Sequence, residues 1–325
     1  MRKDSLDTNS DFHPLTAVHW HEADPGTEWV KDAAAAIGVN PLVPTSGVLT
    51  PNVVSLPDGG YRMYYTGFAP GVTRDDHLGH ILSASSRDCS VWTNDPGVRV
   101  DVHPPHASQR ALCPDVVPMP EGGYRMYYEA RSADAPTVIL SATSADGLEW
   151  ELEDGVRFGD GEWSYGTPRC VYFPSDRGLR YRLYFHHYSF PLVSGFDALN
   201  HIVSAVSYDG LDFEIEPGVR IAQETERESM AVYAPDVVRL GDGTFRMYYA
   251  AWTDAISGGV FTAVSEDGLA WAKSPEPLID LGGRWDVGMV SEPCVIELPD
   301  GRSRIFYEAK DAGGRCRILS ATTPQ

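Results

Sequence analysis

Asp115, Asp236 and Glu292 each stand beside a proline that opens an apolar run, in CPDVV, APDVV and EPCVI. Carboxyl groups gathered from separate stretches of chain can divide acid–base work, one holding a proton while another stays ionised. Other chemistry-bearing residues recur at matching places. Glu129, His186 and Glu308 close the tyrosine-rich runs RMYYE, RLYFH and RIFYE. Arg131 and Trp252 lie two residues beyond that column, and His80 and His201 open the apolar runs HILSA and HIVSA.

Residues so placed need a repeated scaffold, and the chain spells one out. The segments TPNVVSLPDGGYRMYYTGF, CPDVVPMPEGGYRMYYEAR, TPRCVYFPSDRGLRYRLYFHHY, APDVVRLGDGTFRMYYAAW and EPCVIELPDGRSRIFYEAK begin at 50, 113, 167, 234 and 292. Their spacing of about sixty residues is that of a repeat architecture. Each is a short apolar strand, a Pro/Asp/Gly turn and an aromatic strand, which makes a hairpin. A third strand follows (HILSA, VILSA, HIVSA, VFTAV, RILSA), and in the first four units a turn of the SADGLEW type and a fourth strand such as GVRVDV, GVRFG or GVRIA. Asp146, Asp209 and Asp267 read as turn residues of these SxDGxxW motifs.

This pattern predicts one all-β domain over 1–325, a five-bladed β-propeller of four-stranded antiparallel blades. The last unit stops after its third strand. Its outer strand is expected from the 1–45 leader, at LTAVHWHEADPG (15–26), closing the ring, with a short helix in WVKDAAAAIGV. If alternate residues of each first strand face the channel, the residues flanking each proline share a face. They are Thr50 and Asn52, Cys113 and Asp115, Thr167 and Arg169, Ala234 and Asp236, Glu292 and Cys294. The predicted ring gathers Asp115, Asp236 and Glu292, with Glu129 and Glu308 behind them, beside Arg131, Arg169, His80, His186 and His201. These positions vary while the framework around them is constant, the mark of a functional rim. Ion pairs tying blades together, such as Glu129–Arg131 or Glu308–Lys310, are the structural alternative.

Charge narrows the partners. With 26 Lys and Arg against 46 Asp and Glu, the net charge of −20 repels phosphate backbones and anionic lipid. A small-molecule substrate is expected, with neither nucleic acid nor membrane as partner; the oligomeric state is left open. The five scattered cysteines lack metal or disulfide spacing, no HxH or HExxH occurs, and DVHPPH (101–106) sits in a Pro-rich connection. No metal or other cofactor is expected. MRKDSLDTNSDF has no apolar run, so a cytoplasmic location is expected.

The APDVV strand starts, DGGYRMYY hairpins and SxDGxxW turns resemble those of five-bladed propeller glycosidases of the family 43 and 32 type, over roughly residues 45–321. The resemblance implies a glycoside hydrolase with an Asp base, an Asp that tunes the acid and a Glu acid on three first strands. The chain departs from that register: blade one offers Thr50 and Asn52, and blade three Thr167 and Arg169. Asp115, Asp236 and Glu292 keep the relative spacing, rotated by one blade, although both Asp residues follow the proline where the family's precede it. Glu292 would then be the acid, Asp236 its tuner and Asp115 the base. Asn52, His80, Glu129, Arg131, Arg169, Trp252 and Glu308 would bind substrate. Trp163 and Trp285 would either stack on a sugar or fill gaps between blades.

Two alternatives carry their own motives. The missing family base and the histidines suggest a dehydratase, lyase or cyclase of a natural-product pathway, with His186 or His201 removing a proton. A non-catalytic carbohydrate-binding propeller is the other.

Overall fold

The computed structural model describes residues 19–70, 78–175, 177–193, 195, 198–253 and 258–324. Two short strands, β1 (Trp20–His21) and β2 (Val30–Lys31), precede five repeated runs. The first is β3 (Gly47–Ser55), β4 (Tyr61–Phe68), β5 (Gly79–Ser86) and β6 (Thr93–Asn94). The second is β7 (Arg110–Pro118), β8 (Tyr124–Arg131), β9 (Val138–Ser144) and β10 (Glu151–Leu152). The third is β11 (Ser164–Ser175), β12 (Gly178–Tyr188), β13 (Asn200–Ser207) and β14 (Glu214–Ile215). The fourth is β15 (Ala231–Leu240), β16 (Phe245–Trp252), β17 (Val260–Ser265) and β18 (Ala272–Lys273). The last is β19 (Met289–Glu297), β20 (Ser303–Lys310) and β21 (Cys316–Thr322), with β2 as its outer strand. Every run is an antiparallel meander, and a single parallel pair, Gly79–Arg110, joins the first two into one sheet. First strands lie beside first strands: β3 by β7, β7 by β11, β11 by β15, β15 by β19, and β19 by β3.

Alternation within each strand explains the burial between runs. Met63, Tyr65, Met126, Tyr128, Met247 and Tyr249 are fully buried, and so are Tyr64, Tyr127 and Tyr248 between them. Both sheet faces are therefore covered. The tyrosine hydroxyls tie one run to the next: Tyr64, Tyr127 and Tyr184 donate to the carbonyls of Gly147, Gly210 and Gly268 at 2.9, 2.8 and 2.9 Å. Those glycines belong to the SxDGxxW turns. In each, the aspartate caps two following amides, as Asp146 does for Leu148 and Glu149 at 2.8 and 3.0 Å. Asp209 and Asp267 do the same, so all three are turn residues.

The N-terminal expectations need correction. Of 15–26, residues 15–18 lie outside the described residues, and β1 pairs parallel with β15 rather than with the last run. The outer strand of the last run is Val30–Lys31, and Ile37 adds a bridge to Ile318. Ahead of it, DPGTEW takes the place of the missing DGxxW turn. Asp24 binds the Arg246 guanidinium at 2.5 and 2.6 Å, and Trp29 sits edge-on to Tyr248 at 6.1 Å. Trp150 meets Tyr64 in the same way at 5.7 Å. The expected helix in WVKDAAAAIGV does not form, because pairing with β21 outweighs the weak helical preference of a short alanine run. The fourth strands also start earlier than GVRVDV, GVRFG and GVRIA. They follow the turn at once, then Gly97, Gly155 and Gly218, with φ of 84°, 85° and 91°, redirect the chain. The expected segments contribute single bridges at Val100, Phe158 and Ile221. Among the described residues no helix is long and apolar enough to cross a membrane.

Candidate active site

At the start of every first strand, the X-Pro step is a bulge. Register slips between Leu49 and Asn52, Leu112 and Asp115, Gly166 and Arg169, Tyr233 and Asp236, and Ser291 and Cys294. The residue before each proline (Thr50, Cys113, Thr167, Ala234, Glu292) has a left-handed backbone, with φ of 53°, 50°, 47°, 50° and 52°. This region is unfavourable for side chains bearing Cβ and costs about 1–3 kcal/mol at each position. Recurrence in all five runs makes it a property of the scaffold. Its consequence is to break the alternation: the residues flanking each proline do not share a face.

Four of the pre-proline residues, Thr50, Cys113, Thr167 and Glu292, line a cavity of about 430 Å³ to which all five runs contribute. Glu129, Glu292 and Glu308 are the carboxylates of its lining. Glu308 pairs in register with Ser291, so it stands next to Glu292, whereas Glu129 comes from the second run. Burial pushes the Glu292 carboxyl well above the ordinary glutamate range; Glu308 and, less strongly, Glu129 push it further, against Arg169 and Arg131. Glu129 accepts from Arg131 Nη2 at 2.7 Å and from the Thr167 amide at 3.1 Å. A carboxyl pushed towards its protonated form and one bound by a guanidinium thus face one cavity. Burial also raises the Cys113 thiol, which removes it as a thiolate nucleophile.

The far wall carries rings. His186 stacks on Tyr188 at 4.5 Å, and its Nε2 lies 2.5 Å from Asn200 Oδ1, which requires that nitrogen to carry the proton. Burial lowers His186 to about 3, so it is a neutral hydrogen-bonding group and a poor base. Tyr188, Tyr233 and Trp252 complete this wall.

The post-proline residues lie deeper, in a buried polar hub. Asp115 and Asp236 are completely buried and do not line the cavity. Asp115 accepts from Asn52 Nδ2 at 3.0 Å and from the Cys170 amide at 2.6 Å, and lies 3.1 Å from His19 Nε2. Asp236 accepts from the Val295 amide at 2.8 Å and pairs with Arg169 Nε at 3.3 Å. Arg169 also donates to the carbonyls of Pro51, Pro114 and Pro168, each at 3.1 Å, fastening the bulges of three runs. The expected triad is therefore divided: Glu292 faces the cavity, while Asp115 and Asp236 hold the scaffold below it. Asn52 and Arg169, expected to bind substrate, belong to that hub.

Others of the expected residues lie outside the cavity lining. His80 contacts Asp101 at 2.6 Å, and His201 packs edge-on to His187 at 5.3 Å. Trp163 also meets His187, at 5.4 Å, and Trp285 lies under the guanidinium groups of Arg284 and Arg317 at 4.4 and 4.5 Å. Both tryptophans are partly buried and pack against the hydrophobic core. Glu129, Arg131, His186, Trp252, Glu292 and Glu308 do come together. Sequence reasoning missed Tyr233 and Arg110. Their columns (Leu49, Leu112, Gly166, Tyr233, Ser291 and Gly47, Arg110, Ser164, Ala231, Met289) vary as the others do, and that variation was the available signal.

The hub also anchors the N-terminal segment, with opposed pH dependence. Burial works against the charged form of His19, but Asp115 and then Asp236 hold its pKa above 6.5. Its contribution is complete below the unfolded value and disappears as pH rises through the folded one. Burial lowers His21 to about 4, so its contribution is complete above 6.5 and is lost as pH falls towards 4. The amide of Arg239, which donates to the His19 carbonyl at 2.7 Å, reports docking. Its hydrogen-exchange protection is expected to fall on both sides of neutrality, with His19→Gln abolishing the alkaline loss. A flat profile in the wild type rules this out.

Comparison with known proteins adds the fold's kinship. No family model matches the chain. Two uncharacterized proteins of Mycobacterium tuberculosis are 33% identical over 137 residues, 39% of this chain and 43% of theirs. The match therefore spans less than half the length of these curated relatives. A solved glycoside hydrolase superposes with a TM-score of 0.74 at 16% identity, covering 91% of this chain and 93% of its own. A structure from work on the GH130 family of mannoside phosphorylases, which contains glycoside hydrolases that target β-1,2 mannosidic linkages in Candida mannan, gives 0.69 at 14%, covering 92% and 94%. An endo-arabinase of Bacteroides thetaiotaomicron gives 0.64 at 18%, covering 87% and 96%. The chain thus has an all-β fold of antiparallel four-stranded runs that resembles that of propeller-type glycoside hydrolases.

Proposed function

We propose that this protein is a glycoside hydrolase acting on a small glycoside in the cavity of a closed five-bladed propeller. The ring reading rests on the fivefold strand run, on the contact of β19 with β3, and on the N-terminal strand completing the last run. The observation that carries the reaction is the glutamate set: Glu292, its carboxyl pushed well above the ordinary range by burial, stands in the same cavity as the Arg131-held Glu129. Glu292 gives its proton to the departing glycosidic oxygen as the bond to the anomeric carbon breaks. Glu129 takes a proton from the water that attacks that carbon. Burial raises the acid's pKa first, and Glu308, the stronger of the two glutamate influences on Glu292, raises it further. Tyr188 and Trp252 offer faces on which a sugar ring stacks.

The test is turnover of aryl arabinofuranosides, xylosides, mannosides and fructosides by the purified full chain. Hydrolysis of any of them that depends on Glu292 supports the reading, and a blank across the panel refutes it for these glycosides. With an active substrate, the pH profile of kcat/KM locates Glu308. An acid must be protonated, so activity falls as pH rises through its pKa. Glu308→Gln removes a cause that raises this pKa and moves the alkaline limb to lower pH. An unmoved limb would remove Glu308 from that role.

A further inference from the structure

One level above the glutamates, the cross-strand pairs nearest the opening are Gly47–Phe68, Arg110–Arg131, Ser164–Tyr188, Ala231–Trp252 and Met289–Lys310. All of these residues except Ser164 line the cavity. Their chemistry is lopsided. The second run sets two arginines directly opposite each other, and Glu129 meets the charge of one of them, Arg131. The fifth run adds Lys310, and the first run, between them, presents Gly47 and Phe68. The Arg110 guanidinium lies over the Phe68 ring at 5.3 Å, and Arg131 reaches Glu129 and the Tyr188 hydroxyl at 2.7 and 3.2 Å. The third and fourth runs supply the uncharged rings Tyr188 and Trp252.

Charge counting sharpens this asymmetry. The cavity lining sets three cations, Arg110, Arg131 and Lys310, together at the strand ends beside three glutamates, in a molecule whose net charge is −20. A local cationic sector on so acidic a protein concentrates anions that the rest of the surface repels. Guanidinium groups match the paired oxygens of a carboxylate, phosphate or sulfate.

We propose that the cavity takes a substrate carrying an oxyanion, seated between Arg110, Arg131 and Lys310, with its sugar ring towards Tyr188 and Trp252. The substrate class that follows, an acidic glycoside, rests on the hydrolase reading; the seat itself does not.

Calorimetric titration of the full chain with glucuronate, galacturonate, inorganic phosphate and neutral glucose tests the seat. A uronate is expected to bind at least about tenfold more tightly than glucose and to weaken as added salt screens the charges. Lys310→Gln and Arg110→Gln are each expected to lose about tenfold, the size of one charge-assisted hydrogen bond, and Lys310→Arg to retain affinity. Uronates binding no better than glucose, or unaffected by either charge-removing variant, overturn the proposal. Phosphate binding without uronate binding places a free oxyanion in the seat and overturns the substrate-borne form. Turnover by the wild-type chain separates the two readings. Uronate binding intact in a protein inert towards every glycoside refutes hydrolysis and keeps the seat, while turnover of neutral glycosides without uronate preference refutes the seat alone.

Discussion

Glu292→Gln is expected to cut turnover of glycosides with poor leaving groups by about 10²–10⁴-fold, the contribution of a positioned general acid. The substitution keeps the size of the side chain and its place on the strained pre-proline step but removes the proton that the cavity holds there. A nitrophenolate leaving group departs with little protonation, so the loss for nitrophenyl glycosides is expected to be much smaller. The alkaline limb of the pH profile should disappear with the acid. Rates across aryl glycosides of graded leaving-group acidity provide the check. An equal loss for every leaving group would mean that Glu292 binds the sugar rather than protonating the leaving oxygen.

Arg169→Met is expected to destabilise the fold by about 3–5 kcal/mol, the usual result of removing one member of a buried ion pair. The guanidinium reaches the bulge carbonyls of three runs and Asp236 of a fourth. Its loss leaves Asp236, already pushed up by burial, with His19 as the nearest opposing charge. Asp236→Asn in the same chain is expected to recover part of the loss. The amide oxygen still accepts from the Val295 N–H, and no uncompensated carboxylate remains. Urea melts of the two variants provide the measurement. Equal stability of Arg169→Met and wild type would remove Arg169 as the fastening group, and an additive double variant would remove its pairing with Asp236.

The sequence alone determined the repeat, and with it the hairpins, the aspartate turns and the columns from which the cavity is built. Strand alternation and turn chemistry are local, and five copies reinforce one another. That was enough to place Glu129, Arg131, His186, Trp252, Glu292 and Glu308 near one opening. The sequence also held the clue to the last run, since DPGTEWVK is a DGxxW turn and outer strand in degenerate form, but the alanines that follow it read as helix. The division of the carboxylates was decided only by tertiary structure. A left-handed step before each proline inserts a bulge, and a bulge defeats the period-two rule on which a face assignment from sequence depends. Asp115 and Asp236 are thereby sent down to Arg169 and His19, while Glu292 stays in the cavity. The local signal of that split is each residue's place before or after the proline, but its effect depends on a bulge held by contacts among strands dozens of residues apart.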